Sequence, residues 1–289
     1  MFPYFHALHV FSSFHGCFAP LTVFPAPPLH ADEINVILIG GQSNATGQGY
    51  VNNIPPCFKT DKRILLYYSG SLKGTGPAEQ LVPLSPASES PDRFGVELSL
   101  GTALQKKFPQ KKWAIIKHAR SGSNLFRQWN PGKTSQDKQG EGDARDIAGI
   151  KNALSYGANL NNLIKRIRAD LEAPGLAFIY GRVLPVPAPA RFPGREEVRQ
   201  GQKDVAEEFR TSLSVNNAVY VPADDLQLRS VDFRTPYPMD TVHLGTHGIL
   251  ALGTLCLRIG KALETKKLTP RLFFLPHFLQ PRQPHPENQ

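Results

Sequence analysis

Ile34 to Ile39 reads Ile-Asn-Val-Ile-Leu-Ile and runs straight into Gly40-Gly41-Gln42-Ser43-Asn44. This junction constrains the fold more than any other stretch. A nearly unbroken apolar run of this length suits a strand whose two faces are both covered. Four further runs have the same character: Arg63 to Tyr68, Trp113 to Ala119, Leu176 to Arg182 and Ala218 to Pro222. Helical patterns lie between most of them. Leu160, Leu163, Ile164, Ile167 and Leu171 share one helical face, and so do Ile249, Leu252, Cys256, Ile259 and Leu263. Strands alternating with helices predict a mostly parallel sheet with helices on both sides. In such sheets, sites form outside the carboxyl ends of the strands. Gly41 to Asn44 falls there.

Composition narrows the function. The 289 residues carry 33 Lys and Arg against 24 Asp and Glu, a formal net charge of +9. The basic residues are dispersed, and their densest group, Lys106, Lys107, Lys111 and Lys112, surrounds an expected helix end, where cations are favourable without a ligand. No nucleic-acid-binding pattern accompanies them, so nucleic acid is not an expected partner. Cys17, Cys57 and Cys256 are too few and too scattered for a zinc ribbon or a disulfide scaffold. No metal and no cofactor is expected. No uninterrupted apolar stretch is long enough to span a membrane. Oligomeric state is not encoded.

The two ends differ from the middle. Residues 1–31 contain no Asp, Glu, Lys or Arg, but six Phe, five Pro and four His. They resemble the apolar part of a secretory signal, with Leu29-His30-Ala31 as a cleavage site. Against that stand the missing basic start and the interruptions at His6, His9, His15 and Pro20, and a disordered start in a cytoplasmic chain is the alternative. Export is the expected outcome. Residues 264–289 carry Pro270, Pro276, Pro281, Pro284 and Pro286. That spacing predicts an irregular tail, since proline breaks helices and central strands, with Leu272 to Leu275 packed against the domain. The domain itself is expected over residues 32–263.

Two segments can carry chemistry. Ser43, at the end of the first strand, is placed as a nucleophile would be, with backbone N–H groups close by for an oxyanion. A helix-capping serine is the plainer alternative. Asp240-Thr241-Val242-His243 precedes the last helical pattern. A hydroxyl needs a base to take its proton, and a carboxylate fixes the tautomer of a histidine base. Asp240 and His243 can supply both, or can be ordinary loop residues. His247 is a rival base with a helical reading, and His118 is a weaker one. Gly132-Lys133-Thr134 lacks the earlier glycine of a phosphate-binding loop, having Arg127 there. Asn44-Ala45-Thr46 is a formal glycosylation sequon in a turn unsuited to a glycan.

Together these segments resemble the SGNH hydrolase superfamily, and within it the sialate O-acetylesterase and acetylxylan esterase branch of carbohydrate esterases. The resemblance runs from about Ile34 to Leu263 in five ordered blocks: Gly41-Gln42-Ser43-Asn44, Phe94-Gly95-Val96-Glu97, Ala119 to Leu125, Gln139-Gly140-Glu141 with Asp143-Ala144, and Asp240 to His243. Tyr156 to Leu171 and Phe192 to Val205 are similar as helices. The resemblance implies a three-layer α/β/α sandwich, flavodoxin-like, around a mostly parallel sheet. It implies a Ser43–His243–Asp240 triad and an oxyanion hole made of Ser43, Gly95 and Gln139. Gln42, Asn44 and Glu141 would support the site. The implied activity is an acetylesterase whose partner is an acetylated carbohydrate. A catalytically impaired carbohydrate-binding relative, or an esterase for non-sugar esters, are the alternatives.

The chain departs from the family in two blocks. Val96 stands where proline is common. Only Phe126 to Lys138 separate Leu125 from Gln139, where the family has a long helical segment and an apolar strand. Lys138 also replaces a usual aromatic, His or Met. One strand and helix unit is therefore expected to be missing before Gln139. Phe94, Trp129 and Tyr237 are open to reading as sugar platforms or as packing residues.

Overall fold

The computed structural model describes residues 34–69, 80–123, 125, 129, 147–184, 192–264 and 272–275. Residues 1–31, Gln139 and Glu141 lie outside them. In chain order the elements are β1 (Ile34–Gly41), α1 (Ser43–Thr46), β2 (Gly49–Tyr50), β3 (Leu65–Tyr68), β4 (Leu81–Pro83), β5 (Arg93–Phe94), α2 (Glu97–Lys107) and β6 (Lys112–Ala119). They continue with α3 (Ile147–Leu154), α4 (Tyr156–Asp170), β7 (Ala177–Gly181), α5 (Arg195–Val205), β8 (Ala218–Val221), α6 (Thr246–Glu264) and β9 (Leu272–Leu275).

Seven strands form one sheet in the order β4-β3-β6-β1-β9-β7-β8, and β2 pairs with β5 separately. Every pairing in the large sheet is parallel except β3 with β4. The side chains sort by the two-residue period of a strand. Ile37, Ile39, Trp113 and Ile115 enter a core with Leu98, Leu100 and Leu104 of α2 and Ile249, Leu252 and Cys256 of α6. Phe178 and Tyr180 enter a second core with Leu160 and Ile164 of α4 and Val198 and Val205 of α5. The expected α/β architecture is therefore present, with a helical layer on each face of a mostly parallel sheet. Its five expected strands lie within two residues of their expected limits.

The expected irregular tail is corrected at Leu272–Leu275. These residues form β9, which lies between β1 and β7 and is parallel to both. Leu272, Phe273 and Phe274 pair with Ile37, Leu38 and Ile39, and Leu272 to Leu275 pair with Ala177 to Tyr180. The proline argument fails for the run between Pro270 and Pro276, and the rest of the tail lies outside the described residues. A proline cannot donate to a ladder, yet it is tolerated just outside a strand. The apolar run fits between two such breaks, which also explains why β9 is short. The segment before Gln139, where a strand is expected to be missing, lies almost wholly outside the described residues. Among the described residues no strand lies between β6 and α3, and β9 occupies the position next to β1. On β6, Ile116 is 37% exposed and His118 is exposed.

Candidate active site

The turn after β1 carries Ser43. Gly41 has φ 135° and Gly47 has φ 105°, values that L side chains rarely adopt. Gly47 also packs on the β5 region, where an added Cβ would stand 2.4 Å from the Gly95 nitrogen. Between the two glycines α1 makes one short turn. The Ser43 carbonyl accepts the Gly47 N–H at 3.0 Å, the Thr46 hydroxyl at 2.8 Å and the Gln48 amide at 3.3 Å. The backbone of the candidate nucleophile is thus fixed three times over. Its side chain differs. Ser43 is 1% exposed, and its Oγ has no hydrogen-bond partner among the described residues. The same holds for both polar atoms of the buried Gln42 amide. Buried polar atoms without partners are rare and costly in folded chains, and at a site they mark groups available to a ligand.

Asn44 links this turn to the loop before α6. Its amide donates to the Val242 carbonyl at 3.3 Å, and its oxygen accepts the Leu244 N–H at 2.9 Å. One side chain therefore grips both neighbours of His243. Within that loop Asp240 folds the chain back on itself. Its Oδ1 accepts the N–H groups of Val242 at 3.1 Å and His243 at 3.2 Å, a local turn that Asp favours. Its Oδ2 faces His243 Nδ1 at 2.6 Å. An ionised carboxylate only accepts, so Nδ1 donates and Nε2 carries the ring's lone pair. Burial pushes the Asp240 pKa up. The hydrogen bond and charge of His243, the Val242 N–H and the Arg229 charge outweigh it and hold the value at about 2.

The structure brings Ser43, Asn44, Asp240 and His243 into one linked unit. The rivals stand apart from it: His247 is exposed on α6, and His118 bonds to the Ser69 hydroxyl at 2.7 Å. Gly95 lies against the turn, and an added Cβ would meet the Ala45 carbonyl at 3.1 Å. Its N–H, however, donates to Glu97 Oε1 at 2.9 Å. One N–H cannot serve two acceptors at full strength, so an oxyanion would compete with Glu97 for this donor. Phe94 is fully buried and is a packing residue. Tyr237 is 44% exposed, but Arg229 lies over its ring. The Trp129 indole N–H donates to Ser123 Oγ at 3.0 Å, and the ring meets His118 edge-on.

Two groupings of side chains escaped the sequence reading, although Glu97 itself stands in one of the quoted blocks. Lys117 of β6 and Glu97 of α2 form an ion pair of 2.7 Å with both side chains fully buried behind the Ser43 turn. Lys117 Nζ also donates to the carbonyls of Thr46 at 2.9 Å and Ala87 at 2.5 Å. Burial lowers the Lys117 pKa, and the Glu97 carboxylate opposes that. The signal was present in the sequence: a lysine inside an apolar strand needs a buried partner. The second group is Arg229, 4% exposed, whose Nη1 stands 3.4 Å from Asp240 Oδ2. No motif announces it.

Among the described residues no group of three or more His, Cys, Asp or Glu is arranged to hold a metal ion. No described helix is long and apolar enough to cross a membrane. A family model described as carbohydrate esterase, sialic acid-specific acetylesterase, matches residues 33–138 and 137–259. The Arabidopsis thaliana protein At4g34215, named a probable carbohydrate esterase, is 25% identical over 262 residues, covering 79% of this chain and 89% of its own. Its crystal structure superimposes with a TM-score of 0.55 at 19% identity, covering 80% of this chain and 97% of that one. The crystal structure of NanS gives a TM-score of 0.55 at 14% identity, covering 82% and 98%. At these identities the superpositions establish a shared fold.

Proposed function

Because the chain belongs to the carbohydrate esterase, sialic acid-specific acetylesterase family, we propose that it removes acetyl groups from carbohydrates through a Ser43–His243–Asp240 triad. Membership makes it a carboxylic ester hydrolase; the residue roles are our reading. Ser43 Oγ attacks the acetyl carbonyl while His243 Nε2 takes its proton. The tetrahedral intermediate collapses, the ester C–O bond breaks, and His243 returns the proton to the departing sugar hydroxyl. Water, activated by the same histidine, then attacks the acetyl-Ser43 ester and releases acetate. Asp240 holds the ring and stabilises it when charged.

The observation that carries this reading is the Asn44 side chain, which binds the residues on both sides of His243 and so couples base to nucleophile. The Ser43 hydroxyl, which has no hydrogen-bond partner among the described residues, adds support, since a structural serine in so dry a place would be bonded. For the oxyanion we assign the Ser43 N–H, which opens α1 and so has no partner within it, and the side-chain amide of Gln139. Gly95 contributes close packing instead of its N–H.

The test is acetate release by the purified full chain from a chromogenic acetate, acetylated xylan and an O-acetylated sialic acid. Activity on the last two above that on the simple ester supports the carbohydrate reading. Activity of Ser43→Ala equal to the unmodified chain would overturn the triad.

A further inference from the structure

Arg229 begins a short 3-10 turn, Arg229–Val231, in the loop between β8 and α6. It is joined to the candidate triad twice. Its backbone N–H donates to the His243 carbonyl at 2.8 Å, and the next N–H, of Ser230, donates to the Asp240 carbonyl at 3.0 Å. Leu228 and Leu244 bridge antiparallel beside them. Its side chain returns to the same place from another direction: Nη1 is 3.4 Å from Asp240 Oδ2, the oxygen that His243 Nδ1 also approaches.

The guanidinium is held through Nε and Nη1, while its buried Nη2 has no hydrogen-bond partner among the described residues. Nε donates to Tyr50 Oη at 2.9 Å, and Nη1 donates to Gln48 Oε1 at 3.2 Å. The Tyr237 ring lies 3.8 Å from the guanidinium carbon, measured to the ring centre, and the Tyr50 ring 5.2 Å. Gln48 in turn donates to the Ser43 carbonyl. One buried cation thus connects the turn of the nucleophile to the carboxylate of the base.

We propose that Arg229 is a positioning residue for this reaction, which locks the Asp240 carboxylate against His243 and keeps the ring neutral at lower pH than Asp240 alone would allow. The proposal rests on the triad reading above. The physical reason is competition. A carboxylate facing one imidazole favours the charged ring, which is useless as a base. A second fixed cation on the same oxygen spends part of that attraction and repels the imidazolium. Because the cation is buried and tied to two neutral partners, water screens it weakly.

Other charged groups facing this cluster are already engaged. Arg93 of β5 donates to Gln48 Oε1 at 2.7 Å, lies 5.8 Å from the Tyr237 ring centre and approaches Asp92 at 3.8 Å. Asp232 accepts the N–H and hydroxyl of Thr246 and the Asn53 amide. His247 of α6 is exposed. Glu97 and Lys117 are paired behind the turn. Arg229 is the described cation that contacts Asp240 directly besides His243.

The experiment is the pH profile of kcat/KM for the full chain on a chromogenic acetate, with Arg229→Met and Arg229→Lys. In Arg229→Met the acid limb moves to higher pH by about 0.5–1 unit, and kcat on the plateau falls about tenfold with KM little changed. In Arg229→Lys the charge remains, so the limb stays within about 0.2 unit while kcat falls several-fold, because a point charge does not replace the planar fork. An unmoved limb in Arg229→Met, an equal shift in both variants, or a Lys variant with unaltered kcat overturns the proposal. If Arg229→Met does not fold, the Lys variant decides alone: kcat must fall with the limb in place. Ser43→Ala separates the two levels. Its inactivity together with an indifferent Arg229 sinks this inference and leaves the triad standing.

Discussion

Along one edge of β1, eight consecutive residues pair with β6, from Ile34 with Lys112 to Gly41 with Ala119. Along the other edge, Ile37, Leu38 and Ile39 pair with β9, which enters from the far end of the chain. The first pairing runs right up to the Ser43 turn and continues past it. The Arg120 N–H donates to the Gly41 carbonyl, Ser121 Oγ meets Thr46 Oγ1 at 3.1 Å, and Lys117 reaches the Thr46 carbonyl. The second stops two residues short of Gly41. The difference shows how a fold divides labour around one strand. The β6 edge sets the geometry of the site, while the β9 edge completes the sheet.

The largest expected effect tests the site with both edges intact. Ser43→Ala should lower kcat/KM by roughly four to six orders of magnitude, with an unchanged thermal melt. A steep loss of melting temperature would mean that the serine is structural. Next comes the β6 edge. Lys117→Met leaves Glu97 buried without its cation, an arrangement that costs about 3–5 kcal/mol. Chemical denaturation should show that loss, and kcat per folded molecule should fall with it as the turn loosens.

The β9 edge should respond in the opposite way. Phe273→Pro removes a ladder donor from a central strand and should cost about 3 kcal/mol. Activity per folded molecule, scored by active-site titration, should stay near that of the unmodified chain. A specific loss of kcat would erase the division of labour. A smaller effect sharpens the comparison through pH. Asp240 has a folded pKa of about 2, below the roughly 3.9 of an unfolded Asp. Its contribution, on the order of 2 kcal/mol, is therefore complete above about pH 4 and disappears as pH falls towards about 2. Denaturation of the unmodified chain and Asp240→Asn should differ by a constant amount at neutral pH and converge in that acid window. The smallest effect is a control away from either edge. Arg166 and Asp170 pair at 2.7 Å on the exposed face of α4. Arg166→Ala should change stability by no more than about 0.5 kcal/mol.

What was legible in the sequence was mostly local. Ser43, Asn44, Asp240 and His243 announce themselves because each sits where a strand ends or a helix begins, next to glycines or a turn-forming carboxylate. The two helical faces containing Leu160 and Ile249 were legible for the same reason: their period is written within a few turns. Arg229 was not. Its partners, Tyr50 and Gln48, lie about 180 positions earlier, and no spacing rule joins residues at that distance. Glu97 was noticed through its motif, but its pairing with Lys117 depends on how α2 lies against β6.

The tail teaches the limit of a local rule. Five prolines argued against regular structure throughout the tail. Four of the five residues between Pro270 and Pro276 nevertheless form a strand, because β1 and β7 offer ladder groups on both sides. An isolated four-residue run has no such stability. The sequence by itself therefore determined the parallel α/β layering, the Ser43 turn and the Asp–His loop, since these follow from periodicity, glycine and short-range hydrogen bonding. Tertiary structure alone decided which strand would lie beside β1, that Glu97 would take the Gly95 N–H, and that Arg229 would face Asp240. Those outcomes depend on long-range register and on burial, where a polar group must find whatever partner the packed chain brings within reach.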